Sequence, residues 1–391
     1  MGTGKITEKR TEEQRRAEAL ALLKHILDIP SVNGKDREQE TAVYLAEYLK
    51  RKGMETRVQL IDEHHGNVIG VLRGKTEETI LFNGHLDTVP YGDINEWNTN
   101  PAVCTEQDGR LYARGASDMK SGLAVMAFVL GELAESGCVP QKTIVFAGTC
   151  DEERGGLGAK EIIKEYPDLF PELLLIGEPT SCQAGVAQKG CIWLKLSVSG
   201  KTSHGAEPWQ GINALEQGFG LLADLREELM REEHPVLGRS TLQVTMAEGG
   251  IAPNMTPDRA QFLADIRIVP PLNEKEVLNR LECLIEKRCE VYNGGLAFVP
   301  EITNYRMPVE TGPENQWLHR LKGFIGDDAG ETGINYFTDA SILLTAWPDS
   351  PALLFGPGEP QMCHKPNEYV EISKYLEAIR VMEKFCWYIA K

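Results

Sequence analysis

A histidine and an aspartate stand two residues apart just beyond a short apolar run of strand character. The run covers residues 80–82, and Gly84 directly precedes His85, with Asp87 two residues further on. Side chains at i and i+2 of an extended segment point to the same side, so both can leave the end of a strand together. A ligating imidazole usually donates its other N–H to a carboxylate, which sets the ring tautomer. The spacing predicts that His85 is a metal ligand and that Asp87 orients it; the alternative is a polar turn without a metal.

Five further residues offer the same chemistry near the ends of other elements. Glu152 and Glu153 are adjacent, so on an extended backbone one carboxylate can bind metal while the other faces the substrate water. Glu178 follows another apolar run, and His364 follows the last predicted strand. Asp118 stands where a helix is expected to begin, so it can cap that helix or, with its two oxygens, bridge two cations.

Two histidines and several carboxylates form a set of nitrogen and oxygen donors that suits zinc, and also cobalt or manganese. In hydrolases with two such ions, the ions activate a water and polarise the scissile carbonyl. A spare glutamate can then take the proton of the water and pass it to the leaving amine. The residues together predict a dinuclear hydrolytic site, although each acidic position taken alone is typical of a helix cap or an exposed turn.

The elements that would position these residues follow from the hydrophobic periodicity. Strands alternate with helices in the first part of the chain and again near its end, which favours an α/β fold with a mixed, largely parallel sheet flanked by helices. In such sheets the site lies beyond the carboxyl ends of the strands. The predicted strands are 67–72, 79–83, 142–148, 173–177 and 351–355, and the predicted helices are 11–28, 37–52, 119–135 (capped by Ser117 or Asp118) and 372–387.

Between these two parts the pattern changes. The order becomes strand, helix, two strands, helix and strand, which is typical of a compact α+β unit of ferredoxin-like type. We therefore predict one discontinuous domain, residues 1–184 and 300–391, interrupted by an inserted domain at 185–299. Within the insert the predicted strands are 191–198, 240–246, 259–268 and a short one near 297, and the predicted helices are 213–231 and 274–287.

Composition limits the class of protein. The chain has 391 residues, of which 42% are hydrophobic and 25% charged, as in an ordinary globular protein long enough for two domains. Its formal net charge of −17 argues against binding to nucleic acid or to anionic membranes. No window approaches a membrane span, and residues 1–10 lack the apolar run of a signal peptide. Because the nine cysteines show no paired spacing, a reduced, cytoplasmic chain is predicted.

Several motifs in the same order resemble the dinuclear zinc aminoacylase and carboxypeptidase G family, which includes acetylornithine deacetylase and succinyl-diaminopimelate desuccinylase. The resemblance extends from about residue 12 to the C-terminus. It implies a discontinuous catalytic domain with an inserted lid that also dimerises, two divalent metal ions with zinc first among them, and a homodimer that acts on a small molecule. The matching segments are 84–90, 97–101, 108–120, 151–153, 199–205, 211–214 and 364–368.

The resemblance also implies a role for each candidate residue. Glu152 would be the general base, and Asp87 would orient the first histidine ligand. His204 of the inserted domain would reach into the active site of the partner subunit and stabilise the oxyanion. Asn254 and Arg267 would bind the substrate carboxylate, for which a planar guanidinium is well suited. The implied metal ligands are His85 and Glu178 for one ion, Glu153 and His364 for the other, and Asp118 as the bridge.

Three functions remain as hypotheses. The leading one is a metal-dependent amidohydrolase that removes an acetyl, succinyl or similar acyl group from an N-acylated amino acid. The second is a dipeptidase or carboxypeptidase of the same fold; a dipeptidase needs a carboxylate for the substrate ammonium, for which Glu310 and Asp339 are candidates. The third is a non-catalytic metal-binding protein. Such a chain would have lost the base or a ligand, whereas this one retains all of them.

Overall fold

The computed structural model describes residues 10–326 and 329–391, and the chain divides into two compact units. Most of the N-terminal stretch that argues against a signal peptide lies outside the described residues. The predicted limits of the inserted domain stay a prediction, as does its role in closure and dimerisation. The first unit comprises the residues up to Val186 with Thr311–Glu331 and Ile342–Lys391, and the second comprises Ala187–Glu310 with Thr332–Ser341.

The helices and strands follow one another along the chain with short connections. No helix within the described ranges is long and apolar enough to cross a membrane. The helices are Glu12–Asp28 (α1), Gln39–Lys52 (α2), Lys120–Glu135 (α3), Leu157–Glu165 (α4), Ala214–Leu229 (α5), Glu274–Val291 (α6), Gln316–Ile325 (α7), Ala340–Ala346 (α8) and Ile372–Ile389 (α9). The strands are Glu55–Leu60 (β1), Gly66–Leu72 (β2), Thr79–His85 (β3), Thr105–Gln107 (β4), Arg110–Tyr112 (β5), Thr143–Thr149 (β6), Leu173–Ile176 (β7), Ala184–Gln188 (β8), Gly190–Ser199 (β9), Glu233–His234 (β10), Gly238–Arg239 (β11), Thr241–Gly249 (β12), Arg259–Ile268 (β13), Ala297–Arg306 (β14), Val309–Glu310 (β15), Glu331–Ile334 (β16), Ala352–Leu354 (β17) and Tyr369–Glu371 (β18).

The core of the first unit is a mixed sheet with a parallel centre. Its strand order is β1-β2-β6-β3-β7-β17-β8. Strands β6, β3, β7 and β17 run parallel, whereas β1, β2 and β8 pair antiparallel with their neighbours. Every residue of β3 and β7 is buried, as expected for central strands covered on both faces. Helix α3 packs on β3 and β6 and contacts α1, α2 and α9. The predicted α/β fold with a largely parallel sheet is confirmed.

The four parallel strands end at the same edge of this sheet. His85 is the last residue of β3, the acidic run 151–153 follows β6, and Glu178 follows β7. His364 comes after β17, at the end of a longer loop. Because neighbouring parallel strands release their following segments side by side, the fold gathers these candidate ligands from distant positions in the sequence.

Asp118 does not cap α3, although the sequence predicted a cap there. The residue that precedes the helix is Met119, and it makes no side-chain capping hydrogen bond within the described chain. The Asp118 carboxylate contacts His85 and His364 instead, and the Ser117 hydroxyl donates to a backbone carbonyl of β18. The predicted cap is wrong because both side chains are directed to partners from other parts of the chain.

The second unit contains an antiparallel sheet with the order β12-β13-β9-β14. Helix α5 packs on β9, β12 and β13, and α6 packs on α5 and β14. Alternate residues of β13 are buried among the helices' apolar side chains, Phe262 and Ile266 being 1% and 0% exposed. The βαββαβ connectivity is that of the expected ferredoxin-like unit. Strand β14 has ten residues, longer than predicted, and the β10–β11 hairpin was not predicted.

Candidate metal centre

Three buried side chains from separate connections meet at the carboxyl edge of the sheet in the first unit. His85 Nε2 lies 3.1 Å from Asp118 Oδ1 and 4.0 Å from Glu178 Oε1. One possible ligand atom from each residue lies within 4.8 Å of the others. The side chains are only 1%, 7% and 3% exposed, respectively. We call His85, Asp118 and Glu178 the inner group.

A second set of ligand atoms adjoins the first. His364 Nε2 lies 3.0 Å from Glu153 Oε2 and 3.4 Å from Asp118 Oδ2, and the three ligand atoms again lie within 4.8 Å of one another. The His364 side chain is 55% exposed, whereas that of Glu153 is 8% exposed. We call Asp118, Glu153 and His364 the outer group. Asp118 belongs to both groups and faces each with a different oxygen.

The His85 ring is held by the backbone next to it. Its Nδ1 lies 2.9 Å from the carbonyl oxygen of Asp87. Because a carbonyl oxygen only accepts, Nδ1 carries the proton of this hydrogen bond, and Nε2 is the atom presented to the acidic side chains. The carboxylate of Asp87 is farther from the ring, with Oδ1 3.7 Å from Nδ1. The orientation of the imidazole therefore depends on the Asp87 backbone more than on its side chain.

The Asp87 carboxylate instead holds the acidic loop. It accepts hydrogen bonds from the backbone N–H groups of Glu152 and Glu153, each at 3.1 Å, and from Asn33 Nδ2 at 2.9 Å. Asn33 Nδ2 also lies 3.2 Å from Asp151 Oδ1, so it joins the same loop from the other side. These three N–H donors give the buried carboxylate the hydrogen bonds that it needs. Asp87 thus links the end of β3 to the segment that carries two of the candidate residues.

Electrostatics at the two groups are dominated by closely spaced carboxylates. Burial opposes a charge on His85, but Asp118, Glu178 and other acidic neighbours outweigh it and raise its pKa well above the usual value. Hydrogen bonds to Asp118 and Glu153 raise the pKa of His364 to about 10. Burial also opposes the charge on Asp118, yet the two histidines lower its pKa. Burial and the neighbouring Asp118 charge raise the pKa of Glu153. The cluster therefore favours added positive charge.

The donor set fits divalent cations. Glu153 Oε1 is buried and accepts no hydrogen bond from any residue in the described ranges, so an acceptor is left for a cation. Imidazole nitrogens and carboxylate oxygens in groups of three are the ligands that zinc, cobalt and manganese take in catalytic sites. Asp118 has one oxygen in each group, as a bridging ligand requires. Two adjacent cation sites are the arrangement that these residues can form.

Glu152 lies beside the ligand candidates without belonging to either group of the described chain. It is 6% exposed, and its charge acts on His85. Its backbone is fixed by Asp87, as described above. A buried carboxylate that neighbours a metal site but is not needed as a ligand can exchange protons with a bound water.

Residues predicted from the inserted domain all lie in the second unit. His204 and Asn254 are exposed and occupy neighbouring loops, where the Gly205 N–H donates to the Asn254 carbonyl at 2.7 Å. Arg267 is engaged within its own unit, because its Nε and Nη2 donate to the two oxygens of Asp265 at 2.7 and 3.0 Å. Any substrate carboxylate at Arg267 would share the guanidinium with Asp265.

The two carboxylates considered for an ammonium group are also in the second unit. Glu310 Oε1 lies 3.0 Å from His234 Nε2, and Asp339 is 2% exposed. Next to Asp339, the Thr338 hydroxyl donates to Gln188 Oε1 at 2.6 Å. The structure therefore assigns Glu310 a histidine partner that the sequence did not predict.

Four residues that support the site through hydrogen bonds were not predicted from the sequence. Asn33 and Glu38 bind the acidic loop, the latter through its Oε2, which accepts from the Asp151 N–H at 2.8 Å. Arg114 and Glu368 form a buried ion pair next to Asp118. The last two fall inside segments that carried the family resemblance, so a signal was present, but their partnership spans more than two hundred residues of sequence and is not visible in it.

Known proteins are similar to this chain in sequence and in fold. The model of "Peptidase family M20/M25/M40" matches residues 81–388. Acetylornithine deacetylase of Shigella sonnei is 30% identical over 361 residues, which cover 88% of this chain and 90% of that protein. An M20 family metallo-carboxypeptidase from Sulfolobus solfataricus has a TM-score of 0.74 at 19% identity, with 94% of this chain and 98% of that chain covered. A dinuclear metal binding peptidase of the M20 family from Bacillus subtilis has a TM-score of 0.71 at 12% identity, with 97% and 99% covered.

The sequence and the fold lead to the same assignment. The family model covers most of the chain, including every residue of the inner and outer groups. The likeness to the two solved structures concerns the fold alone, and it extends over nearly the whole chain. The resemblance inferred from the motifs is confirmed, and this chain is a hydrolase that belongs to the M20/M25/M40 peptidase family.

Proposed function

We propose that this chain is a dinuclear metal-dependent amidohydrolase that removes the acyl group, acetyl, succinyl or similar, from an N-acylated amino acid. The observation that carries the proposal is the position of Asp118 between His85 and His364, with one oxygen toward each. Glu178 completes one group and Glu153 the other. The 30% identity with an acetylornithine deacetylase favours a deacylase over other hydrolases of the family.

The proposed metals are two divalent cations, zinc first, with cobalt or manganese as alternatives. His85 and Glu178 would hold one ion, Glu153 and His364 the other, and Asp118 would bridge them. When bound, such ions polarise the scissile carbonyl and lower the pKa of water.

Glu152 is the proposed general base. It would take a proton from the attacking water while the water oxygen forms a bond to the acyl carbon. The C–N bond then breaks, and the proton passes from Glu152 to the leaving nitrogen. The products are a carboxylic acid, in its ionised form, and a free amino acid. Asp87 would keep Glu152 in place through the backbone N–H that it binds.

The second unit would supply contacts to the substrate. His204 would reach into the active site of the partner subunit and stabilise the oxyanion that forms there. Asn254 and Arg267 would bind the substrate carboxylate, Arg267 while sharing its guanidinium with Asp265. The inserted domain, 185–299, would act as a lid and as the surface of a homodimer. The proposed location of the protein is the cytoplasm.

The test of the base is Glu152→Gln with Glu161→Gln, on the following helix, as the matched control. We expect Glu152→Gln to retain two ions while turnover falls about 10²- to 10⁴-fold, the range for a general acid–base residue. The control should hydrolyse as the wild type does. Activity close to wild type in Glu152→Gln would remove Glu152 from the mechanism.

The test of the substrate class is a hydrolysis screen of the zinc- or cobalt-loaded protein by mass spectrometry. It offers N-acetyl, N-succinyl and long-chain N-acyl amino acids beside free dipeptides, each with a chelator control. Chelator-sensitive cleavage of the blocked amino acids alone supports a deacylase. Cleavage of free dipeptides instead supports the dipeptidase or carboxypeptidase alternative, which the likeness in fold to a metallo-carboxypeptidase keeps in view.

A further inference from the structure

One carboxylate behind the metal centre, Glu368, makes an unusual set of contacts. It is 0% exposed, and its Oε1 accepts hydrogen bonds from the backbone N–H groups of Ser117 and Asp118, at 2.8 and 2.9 Å. Its Oε2 accepts from Arg114 Nη1 at 2.7 Å. Glu368 therefore binds the backbone of Asp118, the residue that the inner and outer groups share.

Arg114 connects Glu368 to the segment that follows His364. It is 4% exposed, and besides Glu368 its guanidinium donates to the carbonyls of Lys365 at 3.1 Å and Pro90 at 3.2 Å. It also lies over the ring of Trp97, 5.1 Å from the centroid. Lys365 directly follows His364, so Arg114 binds the backbone next to the ligand of the outer group.

The two segments that carry this pair run side by side. Strand β18, just after Glu368, pairs antiparallel with β5, just before Arg114, and the Ala113 N–H donates to the Glu368 carbonyl at 3.2 Å. Asn367 fixes the same turn, because its Oδ1 accepts from the Asn98 N–H at 2.7 Å and its Nδ2 donates to the Glu96 carbonyl at 2.8 Å. The loop with His364 is thus fastened to the segment with Asp118.

We propose that Arg114 and Glu368 are positioning residues that set the separation of Asp118 and His364 and thereby determine the affinity of the outer group for its ion. This inference rests on the proposed function in one respect, namely that the two groups bind metal. It assigns Arg114 and Glu368 no contact with substrate or metal. Glu368 acts through the backbone of Asp118, and Arg114 acts through the backbone of Lys365, next to His364.

The physical argument concerns which ligands depend on the pair. In the inner group, His85 ends a central strand and Glu178 follows another, so only Asp118 depends on Glu368. In the outer group both Asp118 and His364 depend on the pair. Hydrogen bonds to charged partners are short and strong, and removal of one partner leaves the other charge buried without compensation. Loss of the pair should therefore weaken the outer ion more than the inner ion.

The experiment measures the two stepwise zinc affinities by competition with a chromophoric chelator, and the visible absorption of cobalt at each step. The variants are Glu368→Gln, Arg114→Met and the double variant. The control is Glu132→Gln, which breaks an ion pair with Arg15 in the same unit. We expect the outer ion to be the weaker of the two, because His364 is 55% exposed. This weaker ion should lose affinity about 10- to 100-fold in both single variants, the usual effect of removing a residue that supports a metal ligand. The affinity for the stronger ion should change by less. The control variant should keep the wild-type affinity for both ions.

The double variant separates positioning from general damage. In Glu368→Gln the amide oxygen can still accept from the Ser117 and Asp118 N–H groups, but its NH₂ then faces the Arg114 guanidinium, donor against donor. Replacing Arg114 as well removes that clash, so the stronger ion should return to near its wild-type affinity. The weaker ion should stay weak, because the bond to the Lys365 carbonyl is absent.

Each outcome bears on one of the two proposals. Wild-type affinities for both ions in Glu368→Gln and Arg114→Met would overturn the positioning role, and so would an equal loss at both steps. A wild-type protein that binds two ions with the expected variant pattern but hydrolyses no amide would leave the positioning role intact and refute the proposed function. A wild-type protein that binds no divalent ion would refute both.

Discussion

The inner and outer groups of the candidate metal centre share Asp118 but are built in different ways. His85 and Glu178 are attached directly to central strands of the sheet and are 1% and 3% exposed. Glu153 and His364 lie in loops, His364 has a backbone φ of 64°, and its side chain is 55% exposed. These two loop residues have additional supports: Asp87 binds the backbone of Glu153, and the Arg114–Glu368 pair binds the segment around His364.

The difference teaches that a parallel sheet positions ligands at its strand ends without further help, whereas ligands on loops need buried polar contacts to hold them. A buried polar group left without its partner costs free energy, so the loop candidates depend on each of these contacts. Because the inner group is fixed by the sheet and is almost fully buried, we expect it to bind its ion more tightly and to be more important for folding. The outer group should exchange its ion with solvent more readily.

The largest expected effect comes from the residue that the two groups share. Asp118→Asn should weaken both ions and lower kcat/KM by about 10³-fold or more, because metal ions contribute several kcal/mol to such reactions. Metal content after dialysis and the rate of amide hydrolysis check this. If one ion stays tightly bound in the variant, Asp118 is not required by both groups, and the two groups do not share a ligand.

The comparison becomes sharper with a matched pair of substitutions, His85→Ala and His364→Ala. In the metal-free protein, His85→Ala should lower the free energy of unfolding by about 3 kcal/mol, because it leaves buried carboxylates without their cation. His364→Ala should lower it by about 1 kcal/mol or less, because half of that side chain is in solvent. Denaturant titration measures both. Equal losses would show that exposure does not distinguish the two groups.

Staged removal of metal should follow the same order. A weak chelator should take the outer ion first and leave one ion per chain, and a strong chelator should take both. An ion present at about one hundred times its Kd stabilises the fold by about 2.7 kcal/mol, and at the same free concentration a more tightly bound ion stabilises it more. Tm should therefore fall in two steps, with the larger step for the inner ion. Calorimetry with metal analysis at each stage tests this. Simultaneous loss of both ions would contradict the predicted difference in affinity.

The last expected effect concerns the pH dependence of stability and involves Glu38, which supports the acidic loop through the Asp151 N–H. Burial, and then the Asp87 charge, raise the pKa of Glu38 from 4.5 to about 9. Between these pH values the folded metal-free protein holds a proton that the unfolded chain has lost, so this group makes the free energy of unfolding fall as pH rises. Glu38→Gln should flatten that dependence between pH 5 and 9, roughly the window of this shift.

Denaturant titrations of the metal-free protein across this range provide the check, with the exposed Glu40→Gln as the control. The control should keep the slope of the wild type, since Glu40 is 55% exposed. An unchanged slope in Glu38→Gln would mean that Glu38 is ionised in the folded protein at neutral pH.

The residues that meet in the candidate centre could be picked out from the sequence because they lie at points that local sequence marks clearly. Apolar runs identify β3, β6 and β7, and the polar residues directly after them are the candidates. Strand β1 was missed because four of its six residues are polar and its two apolar residues, Val58 and Leu60, are not buried at this edge of the sheet. The cap of α3 was mistaken because an aspartate before a helix is locally indistinguishable from a capping residue, whether or not a distant histidine takes its oxygens.

The sequence by itself determined the candidate ligands and their order along the chain, the alternation that makes a parallel sheet, and the family. Those features are local, since they depend on residue type and on spacings of a few positions. Only the tertiary structure decided that the Asp87 carboxylate binds the Glu152 and Glu153 backbone rather than the imidazole, and that Arg114 and Glu368 form one buried pair. Such contacts join residues far apart in the chain, and their geometry is set by packing, which residue types do not specify.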